Sequence, residues 1–326
     1  MMKTRTEAIR AAARRLLEAG KVDAVIGYMQ GTIPLRAQPF IAYTPEDCDK
    51  LIWSSFCGGN LATIASGRKD RVAVVAQGCV SRNLNGLVHE KRINRDNLYI
   101  IGVPCIGMLD QRKVEAKLMG RNIELLKNDP EEDLGEITVS GCNAVRECFV
   151  EVIKRRDVKR DNCYTCMHRN PVGADEVVTE PVSETAGGDI NAVATPWARF
   201  ETDRRWEEFT KNFEDCIRCY ACRDVCPLCY CTTCFVDESN PQWCGKTQDP
   251  ADVQTFHILR AFHCAGRCTD CGACESACPQ GIKMRRLTSM LEKDVRAKWN
   301  HEPGMDCETK PPLSTYRPDD PEDHFK

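Results

Sequence analysis

Thirteen of the chain's 22 cysteines fall between Cys216 and Cys278, and eight of them form two runs of identical spacing. Cys216-x2-Cys219-x2-Cys222-x3-Cys226-Pro227 is followed by Cys268-x2-Cys271-x2-Cys274-x3-Cys278-Pro279. This is the ligand run of bacterial ferredoxins, in which three thiolates wrap one face of a cubane and the fourth, before a proline, reaches the other cluster. Cys216, Cys219, Cys222 and Cys278 are therefore assigned to one [4Fe-4S] cluster, and Cys268, Cys271, Cys274 and Cys226 to a second. Zinc sites also use Cys-x2-Cys pairs, but they require neither a three-cysteine turn nor a trailing proline. The Cys-x3-Cys-x2-Cys triplets at Cys222-Cys226-Cys229 and Cys264-Cys268-Cys271, a spacing used by radical enzymes, overlap these runs and share their ligands.

Other thiols remain. Cys229, Cys231, Cys234, Cys244 and Cys264 stand between the runs, with Cys231-x2-Cys234 as the kernel of an additional metal site. In the first half, Cys79 follows the apolar run 72–77 and Cys105 follows 98–103. Ligands of open α/β sheets bind beyond the carboxyl ends of strands, so these two thiols can meet there. With Cys163-x2-Cys166 they make the ligand set of a third iron-sulfur cluster. Cys57 and Cys142 are substitutes, and the bland alternative is buried thiols with a structural Cys-x2-Cys.

The elements that must position these residues change character along the chain. Residues 7–19, rich in Ala, Leu, Arg and Glu and stopped by Gly20, read as a helix. Residues 22–28, 72–77 and 98–103 read as strands of a covered parallel sheet, with 45–55 and 82–91 as helices. Periodicity fades between 171 and 196. Helical spacing returns at 201–213, 251–262 and 287–299, and five prolines mark the last stretch. The fold class is thus an α/β N-terminal domain (1–170, with the third cluster), a linker (171–200), an α+β two-cluster ferredoxin domain (201–299) and an extended tail (300–326).

A chain of 326 residues can bury a core without disulfides. The first fifteen residues include Arg5, Glu7, Arg10, Arg14 and Arg15, unlike an export signal, so a reducing cytoplasm is expected. The longest apolar stretch, 99–109, is interrupted by Gly102 and Pro104 and falls short of the roughly 18 residues of a membrane span. With 45 basic and 48 acidic side chains, the net charge of -3 gives no reason to expect a nucleic-acid partner. No acid-base pair or activated nucleophile stands out, and no catalytic residue is assigned.

The segments Val74-Val75-Ala76-Gln77-Gly78-Cys79-Val80-Ser81-Arg82, Leu98-Tyr99-Ile100-Ile101-Gly102-Val103-Pro104-Cys105 and Cys163-Tyr164-Thr165-Cys166-Met167-His168-Arg169-Asn170-Pro171 resemble the beta-subunit family of deazaflavin-linked hydrogenases and formate dehydrogenases. Residues 216–234 resemble the variant of that family with a C-terminal two-cluster ferredoxin domain. The resemblance implies an electron-transfer subunit that works between a flavin site and iron-sulfur clusters. Its partners would be other subunits of a hydrogenase, formate dehydrogenase or heterodisulfide-reductase type complex. It also implies FAD in members with a Gly-Gly segment opening the first helix. Here Lys3-Thr4-Arg5-Thr6-Glu7 stands at that place, and Gly27 and Gly58-Gly59-Asn60 are other points of approach for a phosphate. The alternative function is a flavin-containing subunit that itself oxidises reduced deazaflavin or NAD(P)H.

Overall fold

The computed structural model describes residues 2–119, 121–142, 146–184, 189, 191–314 and 318. The chain opens with α1 (Lys3–Glu18), which buries Ile9, Ala12, Ala13 and Leu16 along one side. Gly20, with φ of 59°, ends it in the left-handed conformation that suits glycine at a helix C-terminus. Strands follow at β1 (Ala24–Gln30), β2 (Ala37–Ala42), β3 (Val72–Ala76), β4 (Leu98–Gly102), β5 (Leu125–Asn128), β6 (Glu136–Cys142), β7 (Cys148–Lys154) and β8 (Glu176–Val177).

Five of them form a sheet in the order β2-β1-β3-β4-β8. β1, β3, β4 and β8 are parallel, and β2 is antiparallel on the edge. All five residues of β3 are buried, as the unbroken apolar run 72–76 requires of a strand covered on both faces. Ala76 pairs with Gly102, so the chain leaves β3 and β4 at the same sheet edge. Cys79 and Cys105 each follow three residues later.

Two parts differ from the sequence expectation. Residues 45–55 hold only a 3-10 turn (Glu46–Lys50), because Leu51 bridges to Met29 and Ile52 N–H donates to the Tyr28 carbonyl, which draws the chain out along β1. The meander β5-β6-β7 was not foreseen. Its inner residues Ile137, Val139 and Ile153 pack with Leu109 and with Val114 of α3 (Gln111–Lys117). Cys142 and Cys148 face each other across β6 and β7 and form a disulfide, so Cys142 is not a substitute ligand for the third cluster.

The second half is helical around the cysteine runs. α4 (Asn191–Ala198) and α5 (Thr202–Phe213) precede the first run, α6 (Pro250–Cys264) separates the two, and α7 (Arg285–Trp299) follows the second. α6 starts where Asp249 accepts from Ala251 N–H at 2.9 Å, with Pro250 in the first turn. Phe209 and Phe213 of α5 stack towards His257 of α6, the last pair of rings at 4.1 Å.

The two halves are tied together by charged contacts. Arg285, buried, reaches Asp270 at 2.5 Å and the Thr165 hydroxyl at 2.7 Å. Asp161 accepts from Lys113 at 2.6 Å and Lys283 at 2.8 Å. Beyond α7, residues 301–304 turn back over α2 (Gly78–His89), where Arg82 donates to the Pro303 carbonyl at 2.9 Å and pairs with Glu302 at 2.6 Å. Of the tail, residues 315–317 and 319–326 lie outside the described residues.

Candidate metal centres

The two cysteine runs share a backbone signature beyond their spacing. In the first, Arg218 and Tyr220 flank Cys219 with φ of 52° and 59°; in the second, Asp270 and Gly272 flank Cys271 with φ of 57° and 69°. Left-handed conformations cost a non-glycine residue on the order of 1 to 2 kcal/mol. Three of these four positions are not glycine, so both runs accept this cost to adopt the same turn. The conformation turns backbone N–H groups inward: Arg218 N–H donates to Cys216 Sγ at 3.4 Å. Such bonds stabilise the thiolate form.

Cys216, Cys219, Cys222 and Cys278 line one small cavity together with His257. Burial pushes the Cys222 thiol up to about 11. His257 Nε2 lies 3.3 Å from Cys216 Sγ, and burial lowers this imidazole to about 3, so it is neutral at pH 7. No spacing rule marks His257 in the sequence. It reaches the site only because α6 packs on α5.

Cys226 lies close enough to Cys271 and Cys274 for the thiols to act on one another's charge, and Cys268 is likewise near Cys271. Burial raises the thiols of Cys268, Cys271 and Cys274. Cys278 thus lies with Cys216, Cys219 and Cys222, and Cys226 lies near Cys271 and Cys274.

In the first half the structure brings Cys79, Cys105, Cys163 and Cys166 to one cavity, which Cys271 also lines. Cys79 lies in the first turn of α2, at the positive end of its dipole. Gly78 before it admits no Cβ, since one would strike the His168 carbonyl. Cys105 Sγ accepts from Gly107 N–H and Cys163 Sγ from Met108 N–H, each at 3.3 Å. Burial pushes Cys105 up to about 11 and Cys166 up to about 12. Cys57 turns away into the core, where Ser54 N–H donates to its sulfur at 3.2 Å, and burial pushes it up to about 12.

Cys231 is exposed, and Cys234 is half-buried near Cys244. Neither joins the tightest thiol group among the described residues, which is Cys226, Cys229 and Cys264, with all three sulfurs within 4.8 Å of one another. There the contacts with the Cys229 and Cys264 thiols hold the Cys226 thiol well below its ordinary range, and the contact with Cys226 pushes Cys229 up to about 12. Between the two runs lies Arg260, 5 % exposed, its Nη2 donating to the Cys222 carbonyl at 2.9 Å. Burial works against its charge, but Cys274, Cys264, Cys226 and Cys222 around it outweigh that cost.

Among the described residues no helix is long and apolar enough to cross a membrane. No protein-family model matches the chain. The F420-dependent formate dehydrogenase subunit beta of Methanocaldococcus jannaschii is 24% identical over 360 residues, covering 94% of this chain and 93% of that protein. The F420-dependent formate dehydrogenase 1 subunit beta of Methanococcus maripaludis is 26% identical over 367 residues, covering 94% and 92%. Cobalamin reductase PduS of Citrobacter freundii is 30% identical over 121 residues, which are 36% of this chain and 25% of that protein. Over nearly its whole length, the chain is a homologue of the beta subunits of F420-dependent formate dehydrogenases.

Proposed function

We propose that the chain is the iron-sulfur electron-transfer subunit of a cytoplasmic oxidoreductase complex, relaying electrons between a catalytic or flavin-bearing partner and a further redox module. Residues 201–299 form its two-cluster ferredoxin domain. The observation that carries this reading is the pair of left-handed turns repeated around Cys219 and Cys271, of which the first lines a cavity with Cys216, Cys222 and Cys278 and the second reaches the cavity of Cys79, Cys105, Cys163 and Cys166. Soft thiolate sets of this kind suit [4Fe-4S] clusters.

The arrangement supports a line of three clusters. Cys271 lines the cavity of Cys79, Cys105, Cys163 and Cys166, so the third cluster would adjoin the second. The exchanged Cys226 and Cys278 would join the second to the first. The first would reach the surface at Cys219 and Ile217, both exposed, where a partner can approach. Two curated relatives that align over nearly the whole chain are subunits of F420-dependent formate dehydrogenases, which supports a partner of the dehydrogenase kind here.

Iron and acid-labile sulfide, measured on anaerobically purified full-length chain, should approach about twelve of each, four per cubane. Native co-purification should bring down a catalytic subunit. A preparation with metal but no sulfide refutes the reading.

A flavin-bearing role is favoured by one feature, a cleft of about 610 Å³ beside the third thiol set. It is lined by Gly58, Gly59, Arg36, Arg112, Lys113 and Arg160. Its size is that of a cofactor site. Stoichiometric FAD in the purified chain, with clusters reduced by reduced deazaflavin or NAD(P)H, would replace the relay reading by this one.

A further inference from the structure

Cys229 and Cys264 belong to neither ferredoxin run, yet their sulfurs and that of Cys226 all lie within 4.8 Å of one another. A cubane carries its four thiolates on four different irons, which keeps them well apart. Ligands of a single ion are closer: with zinc-sulfur bonds of about 2.3 Å, two sulfurs on one zinc cannot be more than about 4.6 Å apart. At 4.8 Å or less the trio lies close to that limit, so a small inward movement of the side chains brings all three sulfurs onto one ion.

The positions are fixed by backbone rather than chance. Cys226 and Cys229 are the ends of a Cys-x2-Cys turn in which Cys229 N–H donates to the Cys226 carbonyl at 3.0 Å. Cys264 closes α6, and its carbonyl accepts from Arg267 and Cys268 N–H, each at 3.0 Å. One turn earlier on the same helix stands Arg260, buried and, among the described residues, without a carboxylate partner. Three thiolates and a divalent ion leave one negative charge, and a buried guanidinium offsets one. A thiolate sulfur also retains lone pairs enough to bridge two metals.

We propose that Cys226, Cys229 and Cys264 hold one thiophilic divalent ion, zinc(II) in kind, with the Cys226 thiolate shared between it and the second cluster. The proposal rests on the cluster reading only for that sharing. It differs from the Cys231-Cys234 kernel suggested by spacing, because the fold delivers Cys264 from 35 residues downstream of Cys229.

The test uses the full-length chain purified without oxygen from zinc-supplemented medium, with zinc, iron and sulfide counted per chain. The wild type should hold about one zinc, with a sulfur shell at about 2.3 Å in zinc X-ray absorption. The double variant Cys229→Ser/Cys264→Ser, which leaves the eight ferredoxin-run cysteines in place, should lose zinc at least tenfold while sulfide stays. If the variant fails to fold, the wild-type absorption spectrum decides. Zinc absent from the wild type, an oxygen or nitrogen shell, zinc retained in the double variant, or a Cys229–Cys264 disulfide found by anaerobic alkylation and mass mapping would each overturn the proposal. Zinc retained by a wild type that lacks sulfide would instead sink the cluster reading and leave the ion site standing.

Discussion

Cys268, Cys271 and Cys274 leave one turn of chain within seven residues, whereas Cys79, Cys105, Cys163 and Cys166 are collected from a helix start, a strand exit and a downstream turn. The first kind of site brings its own geometry and demands little of the surrounding fold. The second exists only once β3, β4 and the segment after β7 have packed. The cores differ in the same sense. The sheet half buries a larger apolar cluster, running from Met2 to Met108 with Cys163 as the one buried thiol of the third set. Around the runs the buried cluster is smaller and includes the run cysteines Cys222 and Cys278. Metal binding and folding are coupled where the ligands are a large part of the core.

The largest expected effect follows from this contrast. Stripping iron from the full-length chain should collapse hydrogen-exchange protection across residues 216–284 while β1, β3 and β4 keep theirs. Equal loss in both halves would erase the distinction, and so would equal retention.

A second effect separates the sites by composition. Cys166→Ser should remove about four irons per chain and leave the remaining clusters, because its ligand set is distinct from the runs. Cys219→Ser should instead lower protection of the whole C-terminal half. If Cys166→Ser leaves the iron content unchanged, the thiols of the first half are structural.

The same contrast explains what could be read from sequence. The grouping of the run thiols was legible because those cysteines are contiguous, and the meeting of Cys79 with Cys105 because apolar runs 72–77 and 98–103 announce strand ends. The left-handed turns at Arg218 and Tyr220 were not, since nothing in these side chains favours φ above zero, and at Asp270 the side chain favours it only weakly. The meander escaped because β7 alternates exposed and half-buried residues against a small cluster, a weaker signal than the unbroken apolar runs. Cys264 near Cys229 was invisible for another reason: α6 sets that distance, and helix packing has no local spacing rule.

A third effect distinguishes a packing thiol from a ligand thiol. Cys57 is fully buried, and burial pushes it up to about 12 from an ordinary 9.0. A thiol whose folded value is raised contributes stability that is fully present below about pH 9 and is lost as pH rises towards 12, with a slope of about 1.4 kcal/mol per pH unit between them. Denaturant midpoints followed through that window should fall less steeply in Cys57→Ala than in the wild type. Parallel slopes would mean that Cys57 ionises freely and is not the buried core residue it is taken for.

The smallest effect compares the two runs with each other. At the position after the second cysteine the first run carries Tyr220, whose ring meets Phe256 at 5.3 Å and whose hydroxyl accepts from Arg218 at 2.9 Å, so side-chain contacts offset the left-handed cost. The second run carries Gly272, where a Cβ would strike the Asn162 side chain. Gly272→Ala should therefore cost on the order of 1 to 2 kcal/mol in conformational strain, plus a clash that displaces the Asn162 bond to the Asp270 carbonyl at 3.3 Å. A double-mutant cycle with Asn162→Ala separates the two terms, because the clash appears as coupling between the sites and the strain does not. Melting of the metal-loaded chain should show a residual loss for Gly272→Ala even when Asn162 is already alanine. If that loss vanishes, the left-handed turn carries no strain in the second run, and the glycine is there only to make room for Asn162.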